Sequence, residues 1–196
     1  LTGLPGNRAI EETMEKRLLT GKRFSLCHVD LDHFKPFADK YGYAWGSEVI
    51  KEVGRLIREK RQSCGTPDDF IGHVGGDDFI IIAEPDRALT ICRAVAADFD
   101  RSIVQYYKDI DRNAGFIVGK DRQGVMRKYP LISLTIAIVT DDGSRFTDSR
   151  DMAQKAAELK EQIKVLKGNN VVTLEEAEAW FGPTGNPAVA EPARGT

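Results

Sequence analysis

Residues 70–83, FIGHVGGDDFIIIA, limit what this chain can fold into more than any other stretch. Two short apolar runs flank Gly75-Gly76-Asp77-Asp78, and that pattern predicts a hairpin, because glycine supplies the backbone angles of a tight reversal. Adjacent carboxylates beside a bare backbone are unusual in a turn. Glycine lets a phosphate or its metal approach the main chain, and carboxylates are the hard oxygen ligands that Mg²⁺ prefers. Taken alone, the same four residues also read as a polar, solvated turn.

A second stretch narrows the reading. Residues 23–35 spell RFSLCHVDLDHFK, an apolar strand ending in Asp30 and Asp32. Side chains two apart on a strand share a face, so both carboxylates leave its end together. A hairpin acid brought alongside them would complete a divalent-metal site, with Lys35 one turn away to meet phosphate. Metal, lysine and exposed glycine backbone are the equipment of phosphoryl or nucleotidyl transfer.

The rest of the chain supplies the frame. Helical spacing is expected over residues 6–20, from about Gly46 through Val49, Val53 and Ile57, over 88–103, and over 152–166. Strands are expected at 24–30, 131–139 and 170–174. Residues 36–43 read as a connection, and residues 111–128 as an inserted hairpin turning at Asp121-Arg122-Gln123-Gly124. From Glu175 the Pro-, Gly- and Ala-rich end reads as a disordered tail or linker. The expected domain is therefore 1–174, α+β, a mainly antiparallel sheet with helices packed on it.

A length of 196 residues suits one well-cored domain. The formal net charge of −2 advertises neither nucleic-acid nor anionic-membrane binding. Cys27, Cys64 and Cys92 lie far apart with no CxxC, which predicts reduced thiols in a cytoplasmic domain. No apolar run is long enough to span a bilayer, and no signal peptide is visible. The chain opens inside a motif, so it is expected to be a piece of a longer protein, soluble or membrane-anchored, with fused sensor or effector domains.

In order along the chain, LTGLPGNR at 1–8, DLDHFKPF at 30–37, GGDDF at 75–79, LISLTIAIV at 131–139 and KGNNVV at 167–172 resemble the motifs of the GGDEF domain family. Active members of that family are diguanylate cyclases with a palm-like fold, and the resemblance implies the same fold here. It also implies a metal site for Mg²⁺ (or Mn²⁺) at Asp30, the Leu31 carbonyl and Asp77. Asp78, usually Glu, would help activate the attacking ribose hydroxyl together with Asp77. Phe34 and Lys35 would meet phosphates, and Lys164, one residue off the family's spacing, or Lys167 would stand in for its late phosphate contacts, the alternative being a solvated helix face. Asp32 reads either as a metal contact or as a loop-orienting acid.

Other positions depart from the family pattern. Ala38 and Ser47 stand where an Asn and an acid grip the guanine edge. Losing each buried partner costs roughly 1–3 kcal/mol, which together weakens GTP binding by about a hundredfold or more. Thr66 stands where the inhibitory site needs an Arg, leaving Asp69 alone and feedback by cyclic di-GMP unsupported. Asn169 replaces a phosphate-binding Arg. His28, His33 and His73 read as local hydrogen-bonding groups, and Trp45 as packing or a cover for the emptied base pocket. These residues favour a degenerate domain acting as a regulatory or dimerising module. The alternatives are an active cyclase, joining two GTP across a homodimer, and a cyclase with altered base preference.

Overall fold

A computed structural model describes residues 1–121 and 123–182. The chain begins with α1 (Asn7–Thr20), β1 (Phe24–Asp32), α2 (Phe34–Tyr41) and α3 (Tyr43–Cys64). The hairpin follows as β2 (Phe70–Gly75) and β3 (Asp78–Ala83), then α4 (Pro85–Ile103) and α5 (Asp109–Ala114). The remainder is β4 (Phe116–Lys120), β5 (Met126–Pro130), β6 (Ser133–Asp141), α6 (Ser149–Ile163), β7 (Asn170–Thr173) and α7 (Leu174–Phe181).

β1 is buried on both faces for most of its length, as befits its place at the centre of the sheet, whose order is β2-β3-β1-β6-β7. Its pairings with β3 and β6 are antiparallel, and β6–β7 is parallel. Cys27, Val29 and Leu31 pack with α3 and α4 on one face. Phe24 and Leu26 meet α1, α6 and α7 on the other, through Met14, Met152, Leu159 and Ala177. Each such fully buried side chain contributes about 1.5–3 kcal/mol. The period of two carries this second face on through His28, Asp30 and Asp32, where it turns polar. Cys27 is buried, and a hydrogen bond with Cys92, reinforced by burial, pushes its thiol well above the usual range.

The structure is α+β as expected and corrects four details of the sequence reading. Residues expected as a connection form α2. Pro36 breaks nothing there, because it lies in the first turn, where a backbone N–H has no helical partner. α2 ends at Gly42, with φ of 93°, and α3 starts at Tyr43 rather than near Gly46. The inserted hairpin is present as the two-stranded β4–β5 sheet, introduced by α5. Asp111 of α5 ties it to α2 by accepting from Lys40 Nζ at 2.7 Å and from the Tyr41 hydroxyl. The tail expected from Glu175 begins as α7, with Leu174 and Ala177 buried. Thr173 and Glu176 form a reciprocal capping box at its start. Residues 183–196 and Arg122 lie outside the described residues.

The opening segment is fastened to β2. The His73 backbone N–H donates to the Pro5 carbonyl at 2.8 Å. Arg58 donates to the Thr2 carbonyl at 2.9 Å. His73 Nε2 is 3.0 Å from the Gly76 carbonyl, which can only accept, so that nitrogen carries the proton. In the neutral ring Nδ1 then accepts from the Thr2 hydroxyl at 3.1 Å.

Candidate functional site

Antiparallel pairing sets Asp30 of β1 directly opposite Asp78 of β3. Like charges at such a position repel, so the pair requires compensation. α6 provides it with two lysines one helical turn apart. Lys160 Nζ lies 3.0 Å from Asp30 Oδ1 and 3.0 Å from Asp78 Oδ1. Lys164 Nζ lies 2.9 Å from Asp30 Oδ2. Each oxygen of the buried Asp30 carboxylate therefore faces one lysine. His28, two residues before Asp30 on the same face, donates from Nε2 to Asp78 at 2.8 Å. Asp32 Oδ2 accepts from the hydroxyls of Thr135 at 2.7 Å and Ser133 at 3.2 Å, so it ties β1 to β6.

The acids are tuned in opposite directions. Burial works to raise the Asp78 carboxyl, but hydrogen bonds from His28 and Lys160 outweigh it and hold Asp78 far below the usual carboxylate range. Asp77, in the glycine turn, is raised by burial and then by the charge of Asp30. Asp32 is also raised, chiefly by burial. Both lysines keep their protons more firmly than usual, the acids overcoming the opposing effect of burial.

A raised folded-state value means that the ionised Asp77 opposes folding at every pH above it. Asp77→Asn is therefore expected to raise the melting temperature by about 1–3 °C at pH 7. The gain should vanish as pH falls below the unfolded value of about 3.9. Differential scanning fluorimetry in chelator at both ends of that range checks it; a lower melting temperature at pH 7 contradicts it.

A cavity of about 660 Å³ opens beside these groups. Its wall includes Leu31, Phe34, Lys35, Asp77, Lys164 and Lys167, whereas the buried Asp30 does not line it. Lys35 Nζ lies 2.7 Å from Asp39. Asp30, Leu31 and Asp77 offer only oxygen donors, which fits Mg²⁺ or Mn²⁺. Asp30 Oδ2 is buried and already faces a cation, the Lys164 ammonium at 2.9 Å. Among the described residues no three or more His, Cys, Asp or Glu side chains close into a metal cluster, so any ion would take further ligands from water and phosphate.

The remaining expected residues lie elsewhere. Ala38 is 4% exposed within α2. A Cβ on Gly46 would stand 3.1 Å from the Phe34 ring and 3.4 Å from the Ala38 methyl, so this corner is filled by apolar packing. Ser47 is half-buried on α3 and does not line the cavity. Asp69 is wholly buried, accepting from the Thr66 amide at 2.7 Å and from the Arg87 guanidinium at 3.1 Å. Its carboxyl is therefore satisfied inside the protein. Asn169 accepts from the Leu134 amide at 2.7 Å and donates to the Ala96 carbonyl at 3.1 Å, an internal brace. The Trp45 indole donates to the Tyr106 carbonyl at 2.7 Å, away from the base position.

Sequence reasoning missed Lys160. Its signal was positional: it falls four after Ala156 and three before Ile163, on the buried stripe of α6.

The family profile described as diguanylate cyclase, GGDEF domain, matches residues 1–164. The diguanylate cyclase VdcA of Vibrio cholerae is 34% identical over 145 residues, 73% of this chain and 41% of VdcA. The cyclic di-GMP phosphodiesterase PdeB of Shewanella oneidensis is 27% identical over 119 residues, 61% of this chain and 13% of PdeB. The chain thus spans well under half of either relative. A solved GGDEF domain of DgcB from Caulobacter crescentus, in complex with c-di-GMP, superposes with a TM-score of 0.63 at 19% identity. That superposition covers 89% of this chain and 93% of the DgcB chain, and it shows a shared fold.

Proposed function

Because the chain belongs to the GGDEF family, we propose that it is a signalling domain of the cyclic di-GMP system that keeps its metal and phosphate cleft but has lost its hold on guanine. In this reading it is a regulatory or dimerising module of a larger cytoplasmic protein. The observation that carries the proposal is the buried corner of Phe34, Ala38 and Gly46. Guanine presents N1–H and N2–H₂ donors and polar acceptors. Apolar packing with one short hydroxyl nearby cannot answer them.

Asp78 supports the same reading. In cyclisation a ribose 3′ oxygen bonds to the α-phosphorus of a second GTP, pyrophosphate leaves, and the hydroxyl proton must go to a base. A carboxylate held as far below its usual range as Asp78 is a weak acceptor for that proton. A divalent ion, when bound, neutralises phosphate charge and makes the hydroxyl more acidic. Asp30 and Asp77, with the Leu31 carbonyl, would hold it, while Lys35 and Lys164 orient the triphosphate.

The cleft itself favours a second reading, an active cyclase working as a homodimer, because Leu31, Phe34, Lys35, Asp77 and Lys164 share one wall. Turnover separates the two. Concentrated protein with GTP and Mg²⁺, then Mn²⁺, is expected to yield no cyclic di-GMP by chromatography. The double change Ala38→Asn, Ser47→Asp is expected to tighten GTP by about a hundredfold. Product from the unmodified chain would overturn the degenerate reading.

A further inference from the structure

We propose that Lys160 is a tethered counterion bridging Asp30 and Asp78, so that a divalent metal taking Asp30 as a ligand must compete with it. Its ammonium is equidistant from the two carboxylates, 3.0 Å from each. Those carboxylates come from strands paired directly opposite one another, a position that is repulsive without a cation. The Lys160 side chain is 11% exposed, and its stem runs along the apolar stripe of α6, so it is built into the site rather than waving past it.

Lys164 plays a different part. Of the two acids it reaches Asp30 and not Asp78, it also pairs with Glu161 at 3.7 Å, and it stands on the cavity wall, a third exposed. It can turn to an incoming phosphate without leaving the acid pair bare. Lys160 is absent from that wall and can leave only by breaking two ion pairs. Two ammonium groups carry the charge of one Mg²⁺, and a lysine anchored to a helix competes at high effective concentration. Asp30 Oδ2 is buried with the Lys164 ammonium 2.9 Å away, so each oxygen of Asp30 faces one of the two lysines. The inference rests on Asp30 as a metal-facing acid, shared between the expected metal site and the Lys160 bridge, and is independent of what happened to the guanine corner.

The test uses metal without nucleotide. Mn²⁺ binding, read by water-proton relaxation, is compared between the unmodified chain and Lys160→Met, which keeps length and volume while removing charge. The variant is expected to bind Mn²⁺ at least tenfold more tightly, and to gain more melting temperature from it than the unmodified chain does. Adding Asp30→Asn must abolish the gain, which ties it to this acid pair. Should Lys160→Met be unfolded in chelator, Mn²⁺ must restore its native circular dichroism. Equal Mn²⁺ affinity in the two folded proteins, or failure of Mn²⁺ to restore an unfolded variant, overturns the proposal. Cyclase activity of the unmodified chain would overturn the loss of guanine recognition and leave this comparison intact.

Discussion

Asp69→Ala is expected to cost about 3 kcal/mol or slightly more, towards the lower end of the range for breaking a buried ion pair. The melting temperature should fall by roughly 10 °C. The acid is wholly buried and takes hydrogen bonds from the Thr66 amide and hydroxyl and from two nitrogens of Arg87. Truncation orphans the amide and leaves the guanidinium with Glu84 alone. Arg87 is about a third exposed, so water recovers part of its loss, which is why the lower end applies. Burial opposes the ionised Asp69, yet the Arg87 hydrogen bonds prevail and hold its carboxyl below the usual range. Its stabilisation is thus complete above the unfolded value of about 3.9 and is lost as pH falls through the lower folded value. Asp78 follows the same sign. Urea melts from pH 7 to pH 2 should show a shallower acid limb in the variant. An unchanged midpoint at pH 7 would mean that the loop before β2 is held by something else.

Phe79→Ala should cost about 3–5 kcal/mol, the usual range for emptying a buried aromatic site. The ring is fully buried and stacks on His73, with centroids 4.4 Å apart and planes inclined by 12°. Gly54 lets α3 come close to it, since a Cβ there would meet Phe79 at 3.6 Å and Thr2 at 3.0 Å. The last residue of the GGDDF motif is therefore a structural peg, placed one residue after Asp78. Phe79→Leu, which keeps most of the volume, should cost less than about 1.5 kcal/mol. Guanidinium midpoints for the two variants measure the difference. A loss below about 1 kcal/mol in Phe79→Ala would show that the hairpin does not depend on this contact.

The parts of the fold that rest on hydrophobic period were legible in the sequence. Residues 24–30 read as a largely apolar strand ending in acids and 131–139 as an apolar, β-branched strand, and the hairpin announced itself through its glycines. The stripe of Met152, Ala156, Leu159 and Ile163 placed α6. What escaped notice was local chemistry overruling composition. Pro36 and Gly42 look like breakers, yet the proline occupies a first-turn position and the glycine only ends α2. The Pro- and Gly-rich end masked Thr173 and Glu176, whose spacing is that of a capping box. In the site, the acids were legible because two came as a strand pair and two as a turn. Lys160 was not, since a lysine on a helix normally reads as solvated. Only the pairing of β1 with β3 reveals the charge it answers.

The fastening of the first five residues to His73 makes the glycine turn a follower rather than a free loop. Thr2 and Pro5 hold one side of that histidine, and its ring holds the Gly76 carbonyl on the other. The Thr2 hydroxyl is thus joined through one imidazole to the carbonyl of Gly76, the residue before Asp77. Where the opening segment sits is therefore expected to bear on the carboxylate predicted to face the metal.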